Sequence, residues 1–300
     1  MAIFGVRVRG TSSVACAALL VALPGSAFAQ EKAPTGIMSQ SAASSGTSNV
    51  TVETFDAGKK PEDADDATEA KIQAGGLAAS GNSRSLALTG LANLRVRRAD
   101  NELSVAAAAN YGRAAATPDD DMETSVENYQ GKLRYDRFLS DRVAVFLSLS
   151  GRHDRFQGLD LRMNLDPGVA YYFVTGAKQQ LWGELGYDFQ YDVRTEEAID
   201  TAIEEGDTLD KTNTRHSGRL FAGYRNHLND NVSFDTGVEY LQGLPDTEFW
   251  RLNWDVGFTA AIATRFSLAT TFSLKYDHEP LPGVRHTDTL TAVNLVYQLL

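Results

Sequence analysis

The chain has 300 residues, 43% of them hydrophobic and 22% charged, with a formal net charge of −11. That composition allows a sizeable core but excludes a helical membrane protein. The acidic excess argues against nucleic acid as a partner.

Residues 1–29 read as an address rather than as fold. Arg7 and Arg9 precede an apolar run from Val14 to Leu23, and Ala27-Phe28-Ala29 sets small residues two positions apart before Gln30. This is the layout of a secretory signal peptide cleaved after Ala29. The run is shorter than the roughly 20 residues a membrane-spanning helix needs. Its removal takes only two basic residues, so the exported chain carries 26 basic and 39 acidic residues, a formal charge of −13. The single cysteine, Cys16, leaves with it, and the exported chain has no thiol for a disulfide, a metal site or nucleophilic catalysis. Residues 30–70 are rich in Ala, Ser, Thr, Asp and Glu without a sustained period, which predicts a disordered, flexible periplasmic arm.

From about Lys71 to Leu300 the sequence alternates with a period of two. In 181–193, Leu181, Leu185, Tyr187, Phe189 and Val193 share one phase and Glu184, Asp188 and Asp192 the other. In 249–262, Trp250, Leu252, Trp254, Val256 and Phe258 oppose Arg251, Asn253 and Asp255. The same pattern recurs over 71–80, 84–97, 101–114, 126–138, 142–153, 161–174, 214–228, 232–242, 265–276 and 287–299, which makes twelve strands. Connections alternate in length. Those at 98–100, 139–141, 175–179, 229–231 and 263–264 are short, whereas those at 114–126, 153–160, 194–213, 243–248 and 277–286 are long. The SGNS turn at 80–83 is short on the long-loop side. Together these features predict an all-β fold, an up-and-down antiparallel transmembrane β-barrel of twelve strands over 71–300, with both termini periplasmic.

A soluble barrel would turn its apolar phase inward. Twelve strands enclose a lumen wider than the roughly eight-stranded barrels that side chains fill as an apolar core. Mixed charges suit the lumen better, with the apolar phase facing lipid. Strands of 10–14 residues at about 3.3 Å per residue, tilted by roughly 40°, give about 25–35 Å of height, the scale of an outer-membrane hydrocarbon band. Aromatics gather toward both strand ends, with Phe173, Tyr224, Phe234, Phe258, Phe266 and Tyr297 at the short-turn side. Tyr111, Tyr129, Tyr191, Tyr240, Trp250 and Tyr276 lie at the long-loop side.

Tyr135, Asp136, Phe138, Leu139 and Ser140 spell Tyr-Asp-x-Phe-Leu-Ser, followed by Arg152, Asp154 and Phe156 in Arg-x-Asp-x-Phe. Leu159, Arg162, Gly168 and Tyr171 continue the order. Residues 71–300 resemble, through these motifs and the SGNS turn, the bacterial outer-membrane family known as domain of unknown function 481. Two departures stand out: Ala170 takes the place of a usual second glycine, and the C-terminal VNLVYQLL lacks a terminal aromatic. The resemblance implies architecture and an outer-membrane location, and hardly an activity.

The charged phase supplies the candidate site. Arg134, Asp136, Arg152, Asp154, Arg162, Glu184, Asp188, Asp192, Arg219, Asp235, Glu239, Arg251 and Asp255 are expected to line a hydrated lumen, the carboxylates of Glu184, Asp188 and Asp192 having arginine partners. Such a lining gives a passive pore for small solutes. A charge network that fills and stiffens the barrel gives a non-conducting structural or stress-related envelope protein instead. A surface hydrolase is a third reading. It rests on His153 beside Asp154 and on His216-Ser217, but neighbours in a strand point to opposite faces and no Gly-x-Ser-x-Gly elbow is present. The histidines lack paired ligand spacing, and the acidic stretches 119–127 and 196–210 lack a calcium-loop pattern. No catalytic residue, metal or cofactor is therefore expected. The expected partners are outer-membrane lipid, lipopolysaccharide and the barrel-assembly machinery, with the protein itself a monomer.

Overall fold

A computed structural model describes residues 66–79, 84–115, 120–280 and 285–299. The expected signal peptide, most of the expected arm and the SGNS turn lie outside these residues. Twelve antiparallel strands form one closed barrel in which each strand bonds its sequence neighbours and the last meets the first. They are β1 Asp66–Ala79, β2 Arg84–Arg98, β3 Asn101–Ala115, β4 Glu123–Ser140, β5 Val143–Asp154 and β6 Leu159–Thr175. Then follow β7 Gln179–Arg194, β8 Thr212–Asn229, β9 Val232–Gly243, β10 Trp250–Ala263, β11 Phe266–Asp277 and β12 Thr287–Gln298.

Two boundaries correct the sequence reading. Strand β1 begins at Asp66, so residues 66–70 belong to the wall and not to the arm. Their acidic, alanine-rich composition hides an anchoring role: Glu69 accepts a 2.9 Å bond from Arg95 of β2, and Arg98 reaches the Ala67 carbonyl and the Thr68 hydroxyl. The second correction is a helix inside the long 194–213 connection, α1, Glu196–Glu204. Thr195 caps it by accepting from the Ala198 N–H at 3.1 Å, and Glu196 and Glu197 lie in the first turn, where the helix dipole favours acids. Lys211 holds Glu196 at 2.6 Å, a contact that raises the lysine's pKa above its ordinary value.

The two-residue period becomes two faces. The outward phase exposes a continuous apolar surface, including Leu88, Leu94, Leu103, Leu133, Leu147, Val169, Leu185, Leu220, Val293 and Leu295. An exposed apolar belt of that extent exceeds what soluble monomers carry. Rings gather near both strand ends. At the short-turn end Phe234 packs on Phe258 at 4.9 Å and Phe266 on Tyr297 at 4.9 Å, and at the long-loop end Trp250 stacks on Tyr276 at 4.7 Å.

Closure is uneven around the wall. Strands β1 and β2 keep register over fourteen residue pairs, from Asp66↔Arg98 to Ala79↔Ser85. The β1–β12 seam keeps four, from Lys71↔Gln298 to Ala74↔Leu295.

Candidate functional site

All thirteen residues picked from the charged phase are buried inside the barrel. Among the described residues eleven cations and ten carboxylates are buried, so the interior is close to neutral and its charges can pair. Burying an ion is costly unless a partner of opposite sign and further hydrogen bonds meet it. The strands supply partners in part by register, which places Arg162 opposite Asp192, Arg225 opposite Asp235 and Arg251 opposite Asp277.

The central network crosses the lumen. Arg134 of β4 binds Asp136 on its own strand at 2.9 Å and Glu184 of β7 at 3.1 Å. Glu184 also accepts from Arg219 of β8 at 2.7 Å, and Arg219 continues to Glu239 of β9 at 2.6 Å. The second Glu239 oxygen accepts from Asn253 of β10 at 2.9 Å. A second cross-strut lies nearer the long loops, where Arg251 of β10 donates to the side-chain amide oxygen of Gln190 in β7 at 2.8 Å and to Asp277 at 2.7 Å.

The remaining candidates pair more locally. Arg162 grips Asp192 through two bonds of 2.7 Å, Arg152 pairs with Asp154, and Asp235 is held by Arg225 at 2.8 Å. Asp255 accepts from the Ser273 hydroxyl. Asp188 departs from expectation: it accepts from the Asn164 amide at 2.7 Å, where an arginine was expected. Register accounts for the missing arginine, because β6 keeps Arg162 level with Asp192, four residues along β7 from Asp188.

At the short-turn end the inward phase of β4 to β8 carries rings as well as charges. Phe138, Phe146, Tyr172, Trp182 and Phe221 sit on the inward phase with Ala144 and Ala170 and form a buried apolar cluster. Tyr172 and Trp182 have no exposed surface. Arginines cover the cluster: Arg97 lies 4.3 Å from the Phe138 ring centre, Arg134 3.9 Å from Phe146, and Arg219 5.5 Å from Phe221. Guanidinium groups stack well on aromatic faces, so charge network and aromatic cluster are in direct contact. Glycine makes the room. A β-carbon at Gly223 would lie 2.3 Å from the Trp182 ring and one at Gly168 2.4 Å from Phe146. Sequence reasoning took the charges on that phase and passed over these rings, although an aromatic on the polar phase of a lipid-facing strand is itself a signal for a filled lumen.

The catalytic pairs weighed from sequence separate in space. His153 stacks against Tyr129 on the outer face while Asp154 is buried on the inner one. His216 contacts the Tyr187 hydroxyl outside, and Ser217 is buried inside.

A family model described as "Protein of unknown function, DUF481" matches residues 72–299. The chain is 29% identical over 238 residues to the "Uncharacterized protein YdiY" of Escherichia coli (strain K12), covering 77% of this chain and 83% of that protein. Among solved structures it aligns with a NanC porin at 10% identity and a TM-score of 0.46, covering 77% of this chain and 100% of that one. It also aligns with the COG4313 outer membrane channel from Pseudomonas putida F1 at 12% identity and a TM-score of 0.43, covering 78% and 94%. Structural likeness at that level has no bearing on what the lumen does. A closed twelve-strand barrel together with a family match across nearly all of its wall shows that the chain belongs to the DUF481 family.

Proposed function

We propose that the protein is an integral outer-membrane β-barrel that does not conduct in its resting state and acts as a structural element of the envelope. The observation that carries this reading is the Arg134–Glu184–Arg219 network stacked on the Phe146 and Phe221 rings, which crosses the lumen from β4 to β7 and β8. The exposed apolar belt between two zones of aromatic rings supports a lipid environment. In that setting the short turns lie on the periplasmic side and the long loops outside, against lipopolysaccharide.

The passive pore expected from sequence is the second reading, favoured by the mixed charges of both signs along the wall. It requires the cross-lumen ties to part. Planar-bilayer recording of the purified full chain separates the two. The expected result is no steady current across a wide voltage range, and an ohmic current from the wild-type protein would overturn the closed reading.

A further inference from the structure

At the long-loop end the barrel opens into a cleft of about 30 Å³ whose lining is dominated by guanidinium groups. Two of these are neutralised, Arg162 by Asp192 and Arg251 by Asp277. Three more, Arg194, Arg215 and Arg285, line the same cleft and have no ion pair among the described residues. Arg194 donates to the Asp210 carbonyl, at 2.8 Å. Arg215 is stacked on a ring: its guanidinium lies 4.0 Å from the centre of the Phe249 ring, which also carries Arg251 at 4.7 Å. Its Nη1 is shut off from solvent and meets no hydrogen-bond acceptor among the described residues. Among the described residues of the lining, Glu279 is the carboxylate not committed to an arginine.

We propose that this vestibule is a binding site for the oxoanion group, carboxylate or phosphate, of a small soluble solute reaching the barrel from the long-loop side. A buried N–H without an acceptor is costly, and like charges held close repel, so the cleft gains from an incoming oxoanion on both counts. Planar guanidinium forks match oxoanion geometry, and stacking on Phe249 orders Arg215 in advance, which lowers the entropic cost of binding. Arg162, Asp192, Arg194, Arg215 and Arg251 sit on the inward phase of β6, β7, β8 and β10, so the site opens into the barrel mouth and not onto the lipid-facing wall. The proposal does not depend on the closed-lumen reading, because binding is read by heat and closure by current.

The test is isothermal titration calorimetry of the full-length, detergent-solubilised protein with malonate and, separately, inorganic phosphate at low salt. Saturable binding of at least one probe is expected, weakened about tenfold or more in Arg215→Ala and partly retained in Arg215→Lys. Glu279→Gln, which removes the opposing carboxylate, is expected to tighten binding about threefold and keeps the test open if Arg215→Ala fails to fold. Heat-modifiable gel migration checks the fold of each variant. No binding of either probe, or equal affinity in wild type and Arg215→Ala, would overturn the proposal. Loss of probe binding when lipopolysaccharide is added at micellar concentration would assign the site to a lipid headgroup and overturn the soluble solute.

Discussion

Arg134 and Glu184 meet at 3.1 Å although β5 and β6 lie between their strands along the wall. The pair is therefore a chord through the barrel, and Arg219 meets Glu184 from the other side at 2.7 Å. Removing the shared acid leaves two buried guanidiniums each with one partner fewer. Glu184→Ala is expected to destabilise the barrel by about 3–5 kcal/mol, the usual cost of breaking a buried pair from one side. Urea unfolding followed by tryptophan fluorescence measures it. Glu184→Gln should cost less, since the amide keeps one acceptor.

Packing at the aromatic plug gives a second expectation. Adding a methyl at Gly223 drives a carbon to 2.3 Å from the Trp182 ring, so Gly223→Ala should cost about 1–3 kcal/mol through overpacking. On the same strand, a β-carbon added at Gly218 would meet nothing within 4 Å among the described residues, and Gly218→Ala should stay within about 0.5 kcal/mol of wild type. Similar losses at both positions would mean that strand propensity, not the Trp182 contact, sets the cost.

If the outer face meets lipid, Leu185→Arg should lower stability in bilayers by about 2–4 kcal/mol, the penalty for arginine near the midplane. Leu185 is 60% exposed, so in a soluble barrel the same change would be nearly neutral. Folding equilibria in phosphatidylcholine vesicles decide between the two.

The proposed closure can be tested by opening it. A Phe146→Ala/Trp182→Ala double variant removes two rings from the short-turn end while leaving the Arg134–Glu184 pair in place. It should admit small ions and give measurable single-channel steps where the closed reading expects the wild type to be silent. Silence in both would indicate that the charge network alone keeps the lumen shut.

Much of this architecture could be read directly from the residues. Alternation in segments such as 181–193 located every strand to within a few residues, and unequal connections gave the up-and-down order. Alternation reports only which phase a residue takes, and not what it meets across the lumen. Arg134–Glu184 and Arg251–Gln190 join strands that are not neighbours, and no local pattern encodes that distance. The strand at 66–70 was hidden for a different reason: its polar composition matches that of an unstructured arm, and only pairing with Arg95 and Arg98 reveals it as wall. Helix α1 did carry a legible signal, Thr195 followed by two glutamates, but the acid density of 196–210 fits a solvated loop equally well.

The four-pair seam between β1 and β12 has a mechanical meaning. A closed wall under lateral pressure behaves like a hoop, and a hoop fails at its thinnest joint. Elsewhere the hoop is braced from within by chords such as Arg134–Glu184, which tie β4 to β7 and leave the seam outside their span. The braced arc can therefore hold its curvature while the joint parts, so the seam is where the chain would zip shut last during insertion and where the wall would first yield sideways into the bilayer.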